Sequence, residues 1–176
     1  MTTTTTTREV MAPGQQCCTF WVDGLFLGVP VEQVQEVLRY QRMTAVPRAP
    51  HAVHGLINLR GQIVTALDLR CRLGLPPRPE GELPANVIVR SRGEVVSLLV
   101  DDIGDVIDTA GAELQPTPAN LPSSIQDVVR GVMPLDGSIL LVVDADRAVD
   151  VATAPENPTP ALTSATAPHT TTGGTP

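Results

Sequence analysis

Residues 55–70 read GLINLRGQIVTALDLR, and this stretch decides the fold. Two apolar runs flank the pair Arg60-Gly61, a pattern that predicts two antiparallel strands joined by a tight turn. Asp68 follows the second run, where it can cap a short helix that extends to Leu73. Tight turns usually carry Asn-Gly or Asp-Gly, so the arginine at position 60 needs a reason of its own.

The same pattern occurs a second time. Residues 129–147 read VRGVMPLDGSILLVVDADR and align with the first stretch at an offset of 76 residues. Upstream, GLFLGVPVEQVQEV from Gly24 resembles GEVVSLLVDDIGDV from Gly93 at an offset of 69 residues. The two offsets differ by seven residues, which predicts a longer loop over 108–126 in the second copy. The chain therefore contains one module of roughly seventy residues twice. This unit is too long for a solenoid repeat, and two copies are too few for a solenoid.

Each copy is predicted to be mostly β-strand. Hairpins are expected around Asp23-Gly24 and Arg92-Gly93, and a short helical turn within 31–37 is expected before a strand near 37–40. About five short strands per copy favour a small closed barrel, because a flat sheet of that size leaves its faces uncovered. Glycines shared by the two copies are interpreted as requirements of backbone geometry: Gly55, Gly61, Gly131 and Gly137. Two apolar residues of the opening stretch are expected to be buried, Leu56 and Ile63.

The composition divides the chain into a folded part and two tails. Residues 1–15 are rich in threonine, and residues 152–176 consist mainly of Thr, Pro, Ala and Gly. Both tails are expected to be disordered, because they contain too little apolar surface to offset the entropy of ordering. The folded part is predicted over 16–151, with two subdomains at roughly 16–80 and 81–151. The sequence does not decide whether the two subdomains exchange strands.

Charge and composition exclude several classes of function. The net charge is −7, and all twelve cations are arginine, so Walker-type phosphate loops and catalytic lysines are excluded. An acidic chain with one Trp, one Tyr and two Phe is not expected to bind nucleic acid. The apolar runs are too short for insertion into a membrane, and three cysteines with two of them adjacent do not suggest disulfides. We expect a soluble cytoplasmic protein.

The charge is unevenly distributed along the chain. Residues 16–78 carry seven arginines against four acids, a net +3, whereas residues 79–150 carry four arginines against thirteen acids, a net −9. This asymmetry suggests either surfaces of opposite sign that steer a partner or ordinary solvated surface.

An enzyme or a metal-binding protein is the alternative from another class. His51 and His54 lie three residues apart, and Cys71 lies elsewhere, so no third ligand completes a zinc site. Nucleophile elbows, Cys-x-x-Cys pairs and phosphate loops are absent from the sequence. The pair Asp101-Asp102 is interpreted as a solvated strand end. We therefore predict no catalytic residues, no cofactor and no metal.

Arg60 is a position where the two copies differ. In the second copy Asp136 takes its place, and Asp105 takes the place of Glu36. The first copy can thus form a Glu36–Arg60 ion pair if the two segments adjoin. One interpretation of Arg60 is an exposed turn residue, and the other is a contact for a partner's carboxylate or backbone oxygens.

These residues resemble a known family. The stretch VHGLINLRGQIVTALDLR, together with GVPVEQVQEVLRY and LLVDDIGDVID, is similar to the CheW family of chemotaxis coupling proteins over about residues 16–151. Thr65 departs from the pattern, since the family usually has proline at that position.

The resemblance implies two packed five-stranded SH3-like barrels and no catalysis. It implies an adaptor that couples chemoreceptor tips to the regulatory domain of the histidine kinase CheA, at receptor arrays under the inner membrane, with ring contacts between CheW copies as a further option. A chemosensory pathway that serves pili rather than flagella is an alternative. Carried over by position, the receptor-facing groove involves Val34, Glu36, Asn58, Leu59 and Arg60.

Overall fold

The computed structural model describes residues 15–151. Over this range the chain forms ten strands and three short helices, with a 3₁₀ turn at Val31–Gln33. The strands are β1 Gln16–Val22, β2 Leu25–Pro30, β3 Val34–Leu38, β4 Val53–Leu59, β5 Gln62–Asp68, β6 Ala85–Ser91, β7 Glu94–Val100, β8 Asp102–Asp108, β9 Val129–Leu135 and β10 Ser138–Val143. The helices are α1 Leu69–Arg72, α2 Ser123–Gln126 and α3 Ala145–Val149. The predicted hairpins and the predicted cap are confirmed, since the Asp68 carboxylate accepts a hydrogen bond from the backbone N–H of Arg70.

The strands form two five-stranded sheets with the same order. Sheet 1 runs β8-β1-β2-β10-β9, and sheet 2 runs β3-β6-β7-β5-β4. The duplication equates β1 to β5 with β6 to β10, so each sheet combines the first hairpin of one copy with the last three strands of the other. The two copies thus exchange their first hairpins reciprocally, and each sheet contains strands from both halves of the chain.

Hydrogen bonding leaves both sheets open. Within residues 15–151, sheet 1 ends at β8 and β9, and sheet 2 ends at β3 and β4. The expected closure of each barrel by strand pairing is therefore wrong, although the architecture remains SH3-like. A short segment extends each sheet at the same edge: Thr44 pairs with Leu56 on β4, and Gln115 pairs with Val132 on β9.

The four shared glycines occupy two kinds of position. Gly61 and Gly137 lie in hairpin turns with φ values of 86° and 78°, a conformation that glycine adopts without strain. Gly55 and Gly131 allow the edge segments to approach. A Cβ atom would lie 2.7 Å from the carbonyl oxygen of Thr44 at position 55, and 2.6 Å from that of Gln115 at position 131.

One hydrophobic core joins the two sheets. Its fully buried members come from sheet 1, such as Phe20 and Leu27, and from sheet 2, such as Val87 and Leu98.

No helix within the described range is long and apolar enough to cross a membrane.

The expected burial of Ile63 is wrong. The Ile63 side chain is 62% exposed, and Leu56 is only half-buried. Alternate residues of a strand point to opposite faces, and Val64 and Ala66 on one face of β5 pack in a second buried cluster. Ile63 shares the other face with Leu67, which packs in the main core, but Ile63 lies at the turn end of the strand and is not part of that core. On β4 the same alternation places Ile57 rather than Leu56 in the second cluster.

The strand exchange separates the charges in space. Body 1 is defined as sheet 1 and its connections, residues 16–30 and 101–150, and it carries two arginines against eleven acids, a net −9. Body 2 is defined as residues 31–100, and it carries nine arginines against six acids, a net +3. The molecule therefore consists of an acidic body packed against a basic one.

A group of ionic side chains lies where α1 meets the β1–β2 turn. Arg70 donates three hydrogen bonds to Asp101, at 2.8, 3.1 and 2.6 Å, and lies 3.4 Å from Asp23 of that turn. Arg78 lies 3.2 Å from Asp101 and 3.4 Å from Asp68. Both guanidinium side chains are only 8% exposed. Asp101 is thus no solvated strand end, and that interpretation is wrong for Asp101 and correct only for exposed Asp102.

Candidate functional site

The candidate site begins with the β4–β5 turn. Arg60 and Gly61 have φ values of 52° and 86°, so both central residues adopt the left-handed conformation of a type I′ turn. An arginine in this conformation costs about 1–2 kcal/mol relative to a right-handed one. The Asn58 side chain compensates in part, because its Oδ1 atom accepts a hydrogen bond of 2.8 Å from the backbone N–H of Gly61.

The predicted ion pair between Glu36 and Arg60 is confirmed. Arg60 Nη2 lies 2.8 Å from Glu36 Oε2 on β3. The Glu36 side chain is 16% exposed, whereas the Arg60 side chain is 77% exposed. Because β3 and β4 are the two edges of sheet 2, this pair joins the edges that backbone pairing leaves open. It also leaves most of the guanidinium group in contact with solvent.

The duplication provides an internal comparison for this pair. The equivalent positions in body 1 are Asp105 on β8 and Asp136 in the β9–β10 turn, and both are exposed. Two carboxylates cannot form an ion pair with each other, so the edges of sheet 1 lack this connection. The cation at the hairpin tip is therefore specific to body 2.

An exposed apolar side chain completes the site. Ile63 lies opposite Asn58 in the β4–β5 register, and both residues face solvent. We call Glu36, Asn58, Arg60 and Ile63 the Arg60 surface. Ile63 was missed because two apolar residues follow each other in the sequence there. No sequence signal identified Ile63 as exposed, because both faces of β5 carry apolar residues.

The remaining predicted site residues lie beneath this surface. Leu59 is 8% exposed and packs in a cluster with Ile57 and Val64. Val34, on β3, is half-buried against the main core. The structure thus brings Glu36, Asn58 and Arg60 together, whereas Leu59 and Val34 contact the interior.

The cysteine side chains show no sign of a nucleophilic site. Cys17 and Cys18 are buried, and burial raises the pKa of the Cys17 thiol to about 11. Burial also raises the pKa of Cys18 and of half-buried Cys71. Thiols of this kind remain protonated at neutral pH and are poor nucleophiles. Within the described range no cluster of three His, Cys, Asp or Glu side chains is placed to bind a metal ion.

Comparison with known proteins identifies the family. A family model described as CheW-like domain matches residues 16–152. The chain belongs to this family. A curated relative, the chemotaxis protein CheW of Rhizobium meliloti (strain 1021), is 27% identical over 143 residues, which cover 81% of this chain and 92% of the relative. CheW of Bacillus subtilis (strain 168) is 28% identical over 137 residues, covering 78% of this chain and 88% of the relative.

A solved CheW structure has the same fold. The crystal structure of the scaffolding protein TtCheW from Thermoanaerobacter tengcongensis matches with a TM-score of 0.70 and 24% identity. The match covers 82% of this chain and 97% of that one. This chain therefore has the fold of that scaffolding protein.

Proposed function

We propose that this CheW-like chain is a non-catalytic adaptor of chemotaxis signalling that couples chemoreceptor tips to the histidine kinase CheA. The observation that carries the proposal is the Arg60 surface in a chain of this family. The cation is exposed, it is held in a costly backbone conformation, and it is oriented by a carboxylate on a neighbouring edge strand. A turn with no role beyond geometry would carry asparagine or aspartate at position 60.

The Arg60 surface offers the contacts that binding to a receptor tip would use. The guanidinium group is planar and offers several N–H donors to carboxylate or backbone oxygens of a partner, while Glu36 fixes its orientation. Ile63, on the same hairpin, offers an exposed apolar contact. Arginine with an adjacent apolar side chain is a frequent combination at binding hot spots. In the proposal, Val34 and Leu59 support the surface from below.

The proposed mechanism is mechanical coupling at arrays under the inner membrane, in the cytoplasm. An adaptor that binds receptor and kinase together raises their effective concentrations and fixes their relative geometry. Changes in the receptor then alter kinase activity through a coupling free energy rather than through chemistry on the adaptor. The raised thiol pKa values support a non-catalytic role.

Arg60→Asn tests the receptor contact. Asparagine tolerates the left-handed conformation, so the fold is expected to stay within about 1 kcal/mol of the native stability after loss of the exposed ion pair. Binding to a soluble receptor-tip fragment is expected to weaken at least about tenfold, which corresponds to about 1.4 kcal/mol. Calorimetric titration measures the binding, and urea unfolding measures the stability.

Arg90→Gln is the matched control for this experiment. Arg90, on β6, is also an exposed arginine. Its Nε donates a 3.1 Å hydrogen bond to the side chain of Gln35, which precedes Glu36 on β3. The control variant is expected to bind receptor like the native chain. Equal binding by native chain, Arg60→Asn and Arg90→Gln would reduce Arg60 to a structural turn residue.

The charge separation predicts salt-sensitive assembly. Acidic body 1 of one molecule is complementary to basic body 2 of another. Raising the salt concentration from about 0.1 M to about 1 M shortens the screening length from about 10 Å to about 3 Å, so association is expected to weaken at least about tenfold. Sedimentation velocity across this range measures the effect, and assembly that is insensitive to salt would exclude the electrostatic role.

A further inference from the structure

A groove on body 2 lies where the described chain ends. It has a volume of about 350 Å³, and its apolar lining includes Val53, Leu67 and Val96 of sheet 2. Val149 and Val151, at and beyond the end of α3, form one wall, and Arg92 of the β6–β7 turn lies at the rim. The described part of the chain therefore ends at this groove.

In the first copy, the chain that follows the equivalent helix is held in place by its backbone. The offset of 76 residues equates Val149 and Val151 with Leu73 and Leu75, which follow α1. Leu75 packs against the main core, and its backbone N–H donates a 2.9 Å hydrogen bond to the carbonyl oxygen of Arg70. The chain then continues through Pro76 and Pro77.

An arginine fixes this continuing segment. The Nη1 atom of Arg70 donates hydrogen bonds to the carbonyl oxygens of Pro76 at 3.0 Å and Pro77 at 3.4 Å. The same atom lies 3.4 Å from Asp23 in the β1–β2 turn. The segment after α1 is thus bound through its backbone carbonyl groups, between a helix and a hairpin turn.

The second copy has the same pair of charges in reverse. The position of Asp23 is taken by Arg92, at an offset of 69 residues, and the position of Arg70 is taken by Asp146, at an offset of 76. Ser91 donates a hydrogen bond of 2.5 Å to Asp146, which brings α3 next to the β6–β7 turn. A guanidinium group is therefore available at the same place in both copies, from the helix in one and from the turn in the other.

We propose that residues 152–155, Ala-Thr-Ala-Pro, dock in this groove with their backbone carbonyl groups bound by an arginine, as those of Pro76 and Pro77 are bound in the first copy. Arg92 donates hydrogen bonds to the backbone carbonyl groups of the docked segment, and the alanine methyl groups cover Val53, Leu67 and Val96. Four residues in extended conformation span about 13 Å, enough to cross two or three strands spaced about 4.8 Å apart. The chain thereby covers its own apolar groove, independently of any partner.

Nuclear magnetic resonance relaxation on the full chain tests the proposal. Order parameters of the backbone N–H groups of Ala152, Thr153 and Ala154 are expected near the rigid value of about 0.85, with methyl contacts from Ala152 or Ala154 to Val96. In Arg92→Asn, which suits the left-handed φ of 50° at that turn, the same values are expected to fall below about 0.6. Arg60→Asn changes an equivalent Arg-Gly turn outside the groove, and it is expected to leave the tail as ordered as in the native chain.

Three outcomes would overturn the proposal. Order parameters below about 0.6 in the native chain would show that residues 152–154 do not dock. High values that persist in Arg92→Asn would show that the arginine does not hold the segment. Order that disappears on tenfold dilution would show that the groove binds a second molecule instead.

Discussion

Asp101→Asn is expected to lower the free energy of unfolding by about 3 kcal/mol. The change removes the negative charge that Arg70 and Arg78 share, and both guanidinium side chains are only 8% exposed. Asp23 and Asp68 remain, but each lies 3.4 Å from one arginine rather than in the short two-pronged contact that Arg70 makes with Asp101. Leaving buried charge uncompensated costs far more than loss of an exposed ion pair.

The neighbouring aspartate is the matched control. Asp102 is exposed, and Asp102→Asn is expected to change stability by less than about 0.5 kcal/mol in the same urea titration. Equal losses for the two variants would contradict the account of the ionic group. Loss of stability in Asp101→Asn alone would show that the group holds the β1–β2 hairpin of body 1 against α1 of body 2.

The same group predicts a pH dependence. Burial alone would raise the pKa of Asp101, but the hydrogen bonds from Arg70 and from the backbone of Asp23, together with the charges of both arginines, hold it below its ordinary value. A depressed folded-state pKa stabilises the fold above the unfolded value of about 3.9, and this contribution is lost as the pH falls through the folded pKa. At acid pH, the free energy of unfolding is therefore expected to fall less steeply with decreasing pH in Asp101→Asn than in the native chain.

Gly131→Ala is the second large effect, with an expected loss of about 3 kcal/mol. The added Cβ atom would lie 2.6 Å from the carbonyl oxygen of Gln115 and 2.8 Å from Leu114 Cγ. Relief of the clash requires the edge segment to move away from β9, which disrupts the two hydrogen bonds between Gln115 and Val132, at 2.8 and 2.9 Å. Urea unfolding measures the loss.

Two glycines show whether this clash is the cause. Gly55→Ala meets the Thr44 carbonyl oxygen at 2.7 Å and is expected to cost a similar amount. At Gly81, φ is +89° and no atom lies within 4 Å of an added Cβ, so Gly81→Asn is expected to cost less than about 1 kcal/mol. Gly131 has no positive φ, so a loss at position 81 as large as that at position 131 would contradict close approach as the cause.

Local features of the fold were predictable from the sequence. The Asp23-Gly24, Arg60-Gly61 and Arg92-Gly93 pairs occupy left-handed turns, as their types require. Gly55 and Gly131 are both required because a backbone carbonyl group approaches closely. The duplication identified them as shared positions before the structure was known.

The strand exchange could not be predicted, because the two copies have similar hairpins and similar strands in the same order. Both copies offer the same hairpin and the same three following strands, so periodicity cannot decide which hairpin joins which sheet. The same limit applied to Asp101, whose partner Arg70 lies 31 residues away in the chain. Long-range pairings of this kind depend on the packing of the two bodies and leave no trace in local pattern.

The candidate site was predicted in part. Comparison of the two copies identified Glu36 and Arg60, and their ion pair is present. Ile63 was assigned to the core because both faces of β5 carry apolar residues, and apolar character alone does not tell which face is buried.

The most direct test of the adaptor role is calorimetric titration of the full chain against the regulatory domain of a CheA kinase from the same organism. The account predicts saturable binding that Arg60→Asn preserves, because receptor and kinase contacts are proposed to use different surfaces. Absence of binding to every CheA regulatory domain of that organism would contradict the adaptor role, although the fold and the family would stand.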